Sequence, residues 1–592
     1  MKNITRLKKL ISKPKSLLLA IKRRRAFGKR GAYRRLPIEE KTVLFDAFSG
    51  LGVLDSPRAI FKRMLEREEF KDFKFIWAVN NRKLSEKNLE EFESLKNVRF
   101  VRRNSDSYYK YLLVSKYIVC NSSFPKTFAK RPEQVYLNTW HGVPLKVMGY
   151  ERPGQRVAST QRIMQNFLNA DYILGANTFT AERMFKKAYM LDGIYEGKLL
   201  SAALPRTDNI YNVSREEARK RLADAGFKTD KKIIVYAPTW KGALYNSLKY
   251  DLGELKGAVN ELKSKINTDE YEVYLRVHYF IYRAIMMDEE MRRICLPFSI
   301  DTDELLPAVD ILISDYSSIF FDFLGTGRPI FFYVPDLADY SENRGIYFPM
   351  EDMPGPVSET IDGIAKNIND LEAKAAEYSE KYNKMREWCC EWENGRAADS
   401  VIDAVFLNKP SEFISCKTDK KRLMIMADFE KRFKAQDELI EFFGRIDYEK
   451  YDVTLLSGKP EAAEQLNILE NIDSRVRILV NDKIMNVKSG MGRRVEKGLS
   501  QGKLPIKRAI ERLNISAEWR RLTSGVKFDE LIFVQPSKSP VNWMLFGAFA
   551  PIESKSFIGS AFGSDSIFAG AQHLENYSKV YASTQEYEAD QK

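Results

Sequence analysis

Short runs of β-branched and aromatic residues recur along this 592-residue chain at intervals of roughly 10–25 residues, and the stretches between them are charged and helix-like. That alternation points to βαβ units and parallel sheets. A first series of strand candidates comprises Thr42–Phe48, Phe73–Val79, Val98–Val101, Tyr117–Asn121, Val135–Thr139, Tyr172–Leu174 and Leu199–Leu204. After a charged, helical break at Asn209–Asp230, a second series follows: Ile233–Ala237, Glu272–Val277, Asp310–Ile313 and Ile330–Val334. Residues 359–408 read as helical and close this half. A third series begins after Lys409-Pro410-Ser411, with Leu423–Met426, Val453–Leu456, Val476–Val480, Glu530–Val534 and Val580–Ala582, and a helix over Phe429–Phe443. Apolar residues make up 44% of the chain, enough to fill the cores these elements require.

Two successive halves of this kind imply a cleft between them at the carboxyl ends of the strands, where such sheets bind ligands. The expected fold class is α/β: a GT-B-like pair of Rossmann-type domains followed by a further α/β domain. The expected boundaries are a basic amphipathic arm over residues 1–36, an acceptor-side Rossmann-like domain over 37–225, a ligand-binding Rossmann-like domain over 226–410 and the additional domain over 418–592. That last region reads as one Rossmann-type half. Either it is half of a second GT-B pair whose other half lies beyond Lys592, or it is an accessory domain.

Charge is concentrated at one end. The net charge is +14, and residues 1–35 contain 14 Lys and Arg with no Asp or Glu, so the body is formally neutral. A nucleic-acid enzyme would carry basic patches on its body as well, and none is expected as a partner here. Within the arm, Leu7, Leu10, Ile11 and the run Leu17–Ile21 are interleaved with Lys8, Lys9, Lys22, Arg23, Arg24 and Arg25. The apolar run is too short to span a bilayer. The pattern fits the surface of an anionic membrane, where each basic residue contributes about 1 kcal/mol; the plainer reading is a solvated tail. Five cysteines without disulfide or zinc spacing fit a reducing compartment. The expectation is a peripheral protein on the cytoplasmic face of the cell membrane.

The chain has only three histidines. His141 lies in Asn138-Thr139-Trp140-His141-Gly142-Val143-Pro144-Leu145-Lys146, just past a strand candidate. His278 lies in Leu275-Arg276-Val277-His278-Tyr279, and alternation puts Arg276 and His278 on one side of a strand end. A guanidinium beside an imidazole suits a pyrophosphate whose leaving group gains charge. In Ser314-Asp315-Tyr316-Ser317-Ser318 a buried strand gives way to a helix expected to begin at Ser317 or Ser318, so hydroxyls and helix-start amides form an anion site. Asp322, one turn in, would face the cleft and could bind hydroxyls, or else simply favour the helix dipole. Thr239, in Tyr236-Ala237-Pro238-Thr239-Trp240, follows another strand and could reach a phosphate or a base. Arg206 follows a further one, with a salt bridge to Asp208 as its plainer explanation. No cluster with metal-ligand spacing stands out, and neither metal nor cofactor is expected.

In order, these segments resemble the CDP-glycerol glycerophosphotransferase family of teichoic acid primases and polymerases. The resemblance runs from about Tyr136 to Pro356. It rests on Trp140-His141-Gly142-x-Pro144-Leu145-Lys146, Pro205-Arg206-x-Asp208, Tyr236-Ala237-Pro238-Thr239-Trp240, Leu275-Arg276-x-His278-Tyr279, Asp315-Tyr316-Ser317-Ser318, Arg328-Pro329 and Arg344-Gly345-x-Tyr347-Phe348. Val143 departs from the threonine usual in the family, and Ala203 from its glycine. The resemblance implies that an acceptor hydroxyl attacks the β-phosphorus of CDP-glycerol and CMP leaves. His141 would be the general base. Arg276 and His278 would hold the pyrophosphate, with Val277 between them. Ser317 and Ser318 would bind phosphate, and Arg206, Thr239, Trp240, Asp322 and the backbone of His141–Leu145 would complete the donor pocket. The implied partners are CDP-glycerol, a lipid-linked polymer acceptor and the anionic membrane surface; a homo-oligomer is left open. Alternatives are a ribitol-phosphate transferase using CDP-ribitol, a GT-B nucleotide-sugar glycosyltransferase, and an inactive membrane-bound scaffold.

Overall fold

The computed structural model describes residues 30–591 apart from 153, 155, 240–251, 278–280, 283–284, 338–344, 428–435, 461, 482–493, 496, 499–500, 502, 504, 506–507, 509–514, 536–545, 560–576 and 582–583. The first lobe is built on an eight-stranded sheet. In spatial order its strands are Phe413–Ile414, Lys198–Leu200, Tyr172–Leu174, Val135–Asn138, Ser115–Cys120, Glu39–Asp46, Lys74–Val79 and Val98–Arg102. All pairings are parallel except that of Phe413–Ile414 with Lys198–Leu200. Chain order reverses between Glu39–Asp46 and Ser115–Cys120, which makes the carboxyl ends of those two strands the switch point where such sheets bind ligands.

The second lobe has a five-stranded parallel sheet in the order Val357–Ser358, Ile330–Tyr333, Ile311–Ser314, Lys232–Ala237, Tyr271–Leu275. Its switch point falls between Lys232–Ala237 and Ile311–Ser314. The helices Ile361–Asn369, Leu371–Cys389 and Ala397–Val405 follow. The last of these returns to the first lobe: Asp399 pairs with Arg63 at 2.8 Å, Asp403 with Arg67 at 2.9 Å, and the amides of Ala397 and Ala398 donate to Asp208. One apolar core runs from Val43 and Phe61 through Leu312 and Phe320 to Val401, so the two lobes share an interior.

The third lobe is a six-stranded parallel sheet ordered Arg477–Asn481, Tyr451–Gly458, Lys421–Met426, Glu530–Gln535, Ser554–Gly559, Lys579–Tyr581. The strand Ser554–Gly559 was not expected from sequence, because only Phe557 and Ile558 are bulky and apolar in it. The expected helix is present as Gln436–Arg445, and the earlier part of that expectation lies outside the described residues.

This lobe is fastened to the first by shared core and buried polar contacts. Phe167 and Tyr189 of the first lobe lie in one apolar cluster with Trp519 and Leu522 of the third. Arg477, 2% exposed, donates to the carbonyls of Met190 and Asp192 while pairing with Asp452. Arg156 forks onto the carbonyls of Ile472, Asp473 and Val476. Such contacts satisfy charges and carbonyls that would be costly to bury unpaired, and so favour one fixed placement of the lobe.

Most of the basic arm lies outside the described residues, including Lys8, Lys9, Lys22, Arg23, Arg24 and Arg25. Where the description begins, Arg30 stacks over Tyr109 at 3.4 Å and Arg34 donates to the carbonyl of Ala129. Among the described residues, no helix is long and apolar enough to cross a membrane.

Candidate active site

A cleft of about 450 Å³ opens between the first two lobes at the carboxyl ends of both sheets. Seven segments line it, among them His141–Leu145, Arg206, Ala237–Thr239, Arg276–Val277 and the stretch holding Ser317, Ser318 and Asp322. Every described residue expected from sequence to bind substrate is there. Trp240 and His278 lie outside the described residues. The convergence has a simple cause, since the expected segments all lie downstream of parallel strands, and parallel strands deliver their carboxyl ends to one edge.

His141 is held by its neighbours. The side chain of Asn138 accepts from the amide of Trp140 at 2.9 Å, and Trp140 adopts φ of 52°, a left-handed conformation rare for a bulky residue. Gly142 follows at φ of 143°, and a Cβ there would lie 3.2 Å from Arg206 and 3.3 Å from the Ser318 hydroxyl. Glycine therefore lets both lobes close on the loop. The His141 ring lies against Trp140, with centroids 4.1 Å apart, and edge-on to Phe48 at 5.7 Å. Its Nδ1 is 2.6 Å from the carbonyl of Asn121. A carbonyl can only accept, so Nδ1 carries the proton and Nε2 presents a lone pair. Burial lowers the imidazole pKa below the ordinary histidine value, and Arg206 adds to the lowering; the Asn121 carbonyl and the Asp55 carboxylate act in the opposite direction. The neutral base form therefore dominates at pH 7.

Arg206 is used differently from the expectation. It does not pair with Asp208, whose carboxylate is taken by the Ala397 and Ala398 amides. Instead its guanidinium donates to Asp55 at 2.7 Å, to both oxygens of Asp322 at 2.9 and 2.7 Å, and to the carbonyl of His141 at 3.0 Å. Asp303 lies 3.9 Å from it. Asp322 is correspondingly committed to Arg206 rather than offered to substrate hydroxyls. Burial and the surrounding carboxylates drive the Asp303 pKa well up, although Arg206 opposes this. Arg206 is thus a positioning residue that ties the His141 loop to both lobes.

Two other expected ligands are also held in place by protein. The amide of Thr239 donates to Asp315 at 2.7 Å, and its hydroxyl bonds the other oxygen of the same carboxylate, which pins together the two loops at the second lobe's switch point. Arg276 donates to the carbonyls of Pro297 and Ile300 and to the Thr302 hydroxyl, and sits 4.6 Å over Phe298. It orders the loop walling the cleft, where the sequence suggested a direct pyrophosphate contact. The helix after Ser318 begins at Ile319, and the Ser318 hydroxyl makes no cap bond to it.

Asn121, Asp55, Asp303 and Asp315 belong to the site although sequence reasoning assigned them no role there. Asp315 stands inside a motif that was read only for its serines. Asn121 acts through its backbone, for which no side-chain signal exists. The lobes are further joined where Lys146 bridges Ile346, and where the amides of Val147 and Tyr347 donate to the carbonyls of Gly345 and Leu145. This explains why the segments around Leu145-Lys146 and Gly345-x-Tyr347 occur together.

The profile of the family described as CDP-Glycerol:Poly(glycerophosphate) glycerophosphotransferase matches residues 31–407. A teichoic acid poly(glycerol phosphate) polymerase of Bacillus spizizenii is 32% identical over 383 residues, which cover 62% of this chain and 92% of that protein. One from Staphylococcus epidermidis is 31% identical, over 62% of this chain and 51% of its own length. Among solved structures, a variant of the wall teichoic acid polymerase TagF soaked with CDPG is similar with a TM-score of 0.55 and 27% identity, covering 68% of this chain and 98% of that one.

Proposed function

This chain belongs to the CDP-glycerol:poly(glycerophosphate) glycerophosphotransferase family, and we propose that it transfers glycerol phosphate from CDP-glycerol to a hydroxyl of a lipid-linked acceptor or growing poly(glycerol phosphate) chain, releasing CMP. The observation that carries the mechanism is the hydrogen bond from His141 Nδ1 to the Asn121 carbonyl, which leaves Nε2 as the basic nitrogen. In this mechanism Nε2 takes the proton from the acceptor hydroxyl as its oxygen bonds to the β-phosphorus, and the bond from that phosphorus to the bridging oxygen breaks. CMP leaves with the electron pair. Ser317 and Ser318, at the second lobe's switch point, serve the phosphates, with His278 assigned there by its motif. Arg206 and Asp315 hold the parts in register.

The test is CMP release from CDP-glycerol, with CDP-ribitol and a UDP-sugar alongside, on a glycerol-phosphate acceptor in EDTA. Release from CDP-glycerol alone supports the reading. Release only from CDP-ribitol keeps the chemistry and changes the polymer. No release by folded protein from any donor returns the scaffold alternative.

The arm over residues 1–36 is assigned to the anionic cytoplasmic surface of the membrane, where a lipid-linked acceptor would be met. Deleting residues 1–29 spares the contacts of Arg30 and Arg34. The truncated protein is expected to leave the membrane fraction on cell fractionation while keeping its turnover on a soluble acceptor. Retention in the membrane fraction would reassign the attachment to another surface.

A further inference from the structure

A second cavity, of about 790 Å³, adjoins the donor cleft at His141 and is lined from the first and third lobes. Trp140, His141 and Met148 line both cavities and so stand between them. On the first-lobe side the walls are Ser122, Ser123 and Lys126, which follow strand Ser115–Cys120, together with Ser159 and Arg162 at the start of helix Gln161–Leu168. On the other side the third lobe contributes Lys459, just past strand Tyr451–Gly458. Among the described residues, three cations and several hydroxyls line this space, and no Asp or Glu does. In a body whose charges otherwise balance, that is a marked local excess of positive charge, suited to an anion rich in oxygen acceptors.

The walls are built rather than incidental. The carbonyl of Ser122 accepts from the side chains of Asn138 and Asn166 at 3.1 and 3.0 Å, and that of Ser123 from Arg103 at 2.9 Å. The opposite wall is held by the Arg156 and Arg477 contacts described above. The volume is within the roughly 300–1,000 Å³ that encloses a drug-sized ligand, so the space takes several glycerol-phosphate units. In-line displacement at phosphorus places the attacking oxygen opposite the leaving one. With the donor in the first cleft and His141 lining both spaces, the second cavity offers the attacking hydroxyl a place beside the base.

Resting on the transferase reading, we propose that this cavity is the acceptor site. In it the third lobe and the first grip the phosphodiester backbone of the growing chain and present its terminal hydroxyl to His141. The third lobe is on this view an acceptor clamp.

The test uses the full chain with Arg162→Glu and Lys459→Glu combined; both residues are exposed and stand outside the donor cleft. The probe is a fluorescent, lipid-free glycerol-phosphate oligomer, with phosphatidylglycerol vesicles as a separate arm. The expected result is an oligomer Kd weakened at least about tenfold and a KM for the oligomer raised in parallel. The KM for CDP-glycerol, kcat at saturating acceptor and the melting transition are expected to be unchanged. An unchanged oligomer affinity would overturn the proposal, and so would a loss seen only with vesicles, which would give the surface to the membrane. If wild type releases CMP from CDP-glycerol but binds no oligomer, the clamp falls and the transferase stands. If it binds the oligomer in this charge-dependent way but turns over no CDP-donor, the transferase reading falls and the polyanion site stands.

Discussion

Replacing His141 with alanine is expected to reduce kcat for CMP release by about 10²–10⁴-fold, the range that a positioned general base supplies, while the KM for CDP-glycerol stays near that of wild type. The ring is one of many residues lining the cleft, and its Nδ1 is already spent on the Asn121 carbonyl. What the substitution removes is the Nε2 lone pair. The pH dependence gives a second, independent readout. Burial holds the imidazole pKa below its ordinary value, so activity is lost only as the pH falls through that lowered value and the base takes up a proton. The acid limb of kcat/KM should therefore lie below the roughly 6.5 of an unperturbed histidine, and it should vanish in the alanine variant. His141→Asn offers a control for folding, because its side-chain amide can still donate to Asn121 while providing no base. An acid limb at or above 6.5 that persists in the alanine variant, or retention of most of kcat, would move the base to another group, with His278 the first to examine.

How much of this was legible in the sequence depends on the range of the interactions. Buried parallel strands announce themselves: Ile311–Ser314 and Lys232–Ala237 are short apolar runs, and such runs next to helical stretches have few other uses. Their order along the chain already implied a ligand edge at their carboxyl ends, which is why His141, Arg206, Thr239, Arg276, Ser317, Ser318 and Asp322 meet in one cleft. Strands that carry little apolar surface were missed, Ser554–Gly559 and the two-residue Val357–Ser358 among them. Partner choice was not legible either. Arg206 has an aspartate two residues away and pairs instead with Asp55 and Asp322, 151 and 116 positions distant. Thr239 gives its hydroxyl to Asp315, and Arg276 gives its guanidinium to a loop about 20 residues on. Sequence identified the residue types that chemistry needs. Tertiary packing decided which of them face substrate and which hold the others in place, and that decision rests on hydrogen bonds no local pattern encodes.

The second large effect is structural, and it separates those two groups. Arg206 is 7% exposed and compensates Asp55 and Asp322, themselves 3% and 6% exposed, with Asp303 close by. Arg206→Ala is expected to destabilise the joined first and second lobes by about 3–5 kcal/mol, the cost of leaving buried charge without its partner. For domains of this size that is a fall of roughly 6–20 °C in the melting transition. Asp322 and Asp303, whose carboxyl pKa values burial already raises against the pull of Arg206, should then recover part of the loss by taking up protons, so the variant should lose less stability at pH 5 than at pH 8, the reverse of an ordinary acid sensitivity. Adding Asp322→Asn to Arg206→Ala should restore part of the stability, because it removes one of the uncompensated charges, although Asp322→Asn alone is destabilising. Such non-additivity marks a direct pair. Activity should not return with stability, since the bond from Arg206 to the His141 carbonyl is still missing. A loss under about 1 kcal/mol in Arg206→Ala, with a large rise in the KM for CDP-glycerol, would mean instead that the guanidinium is available to the donor, and the assignment of Arg206 as the tie between the lobes would be wrong.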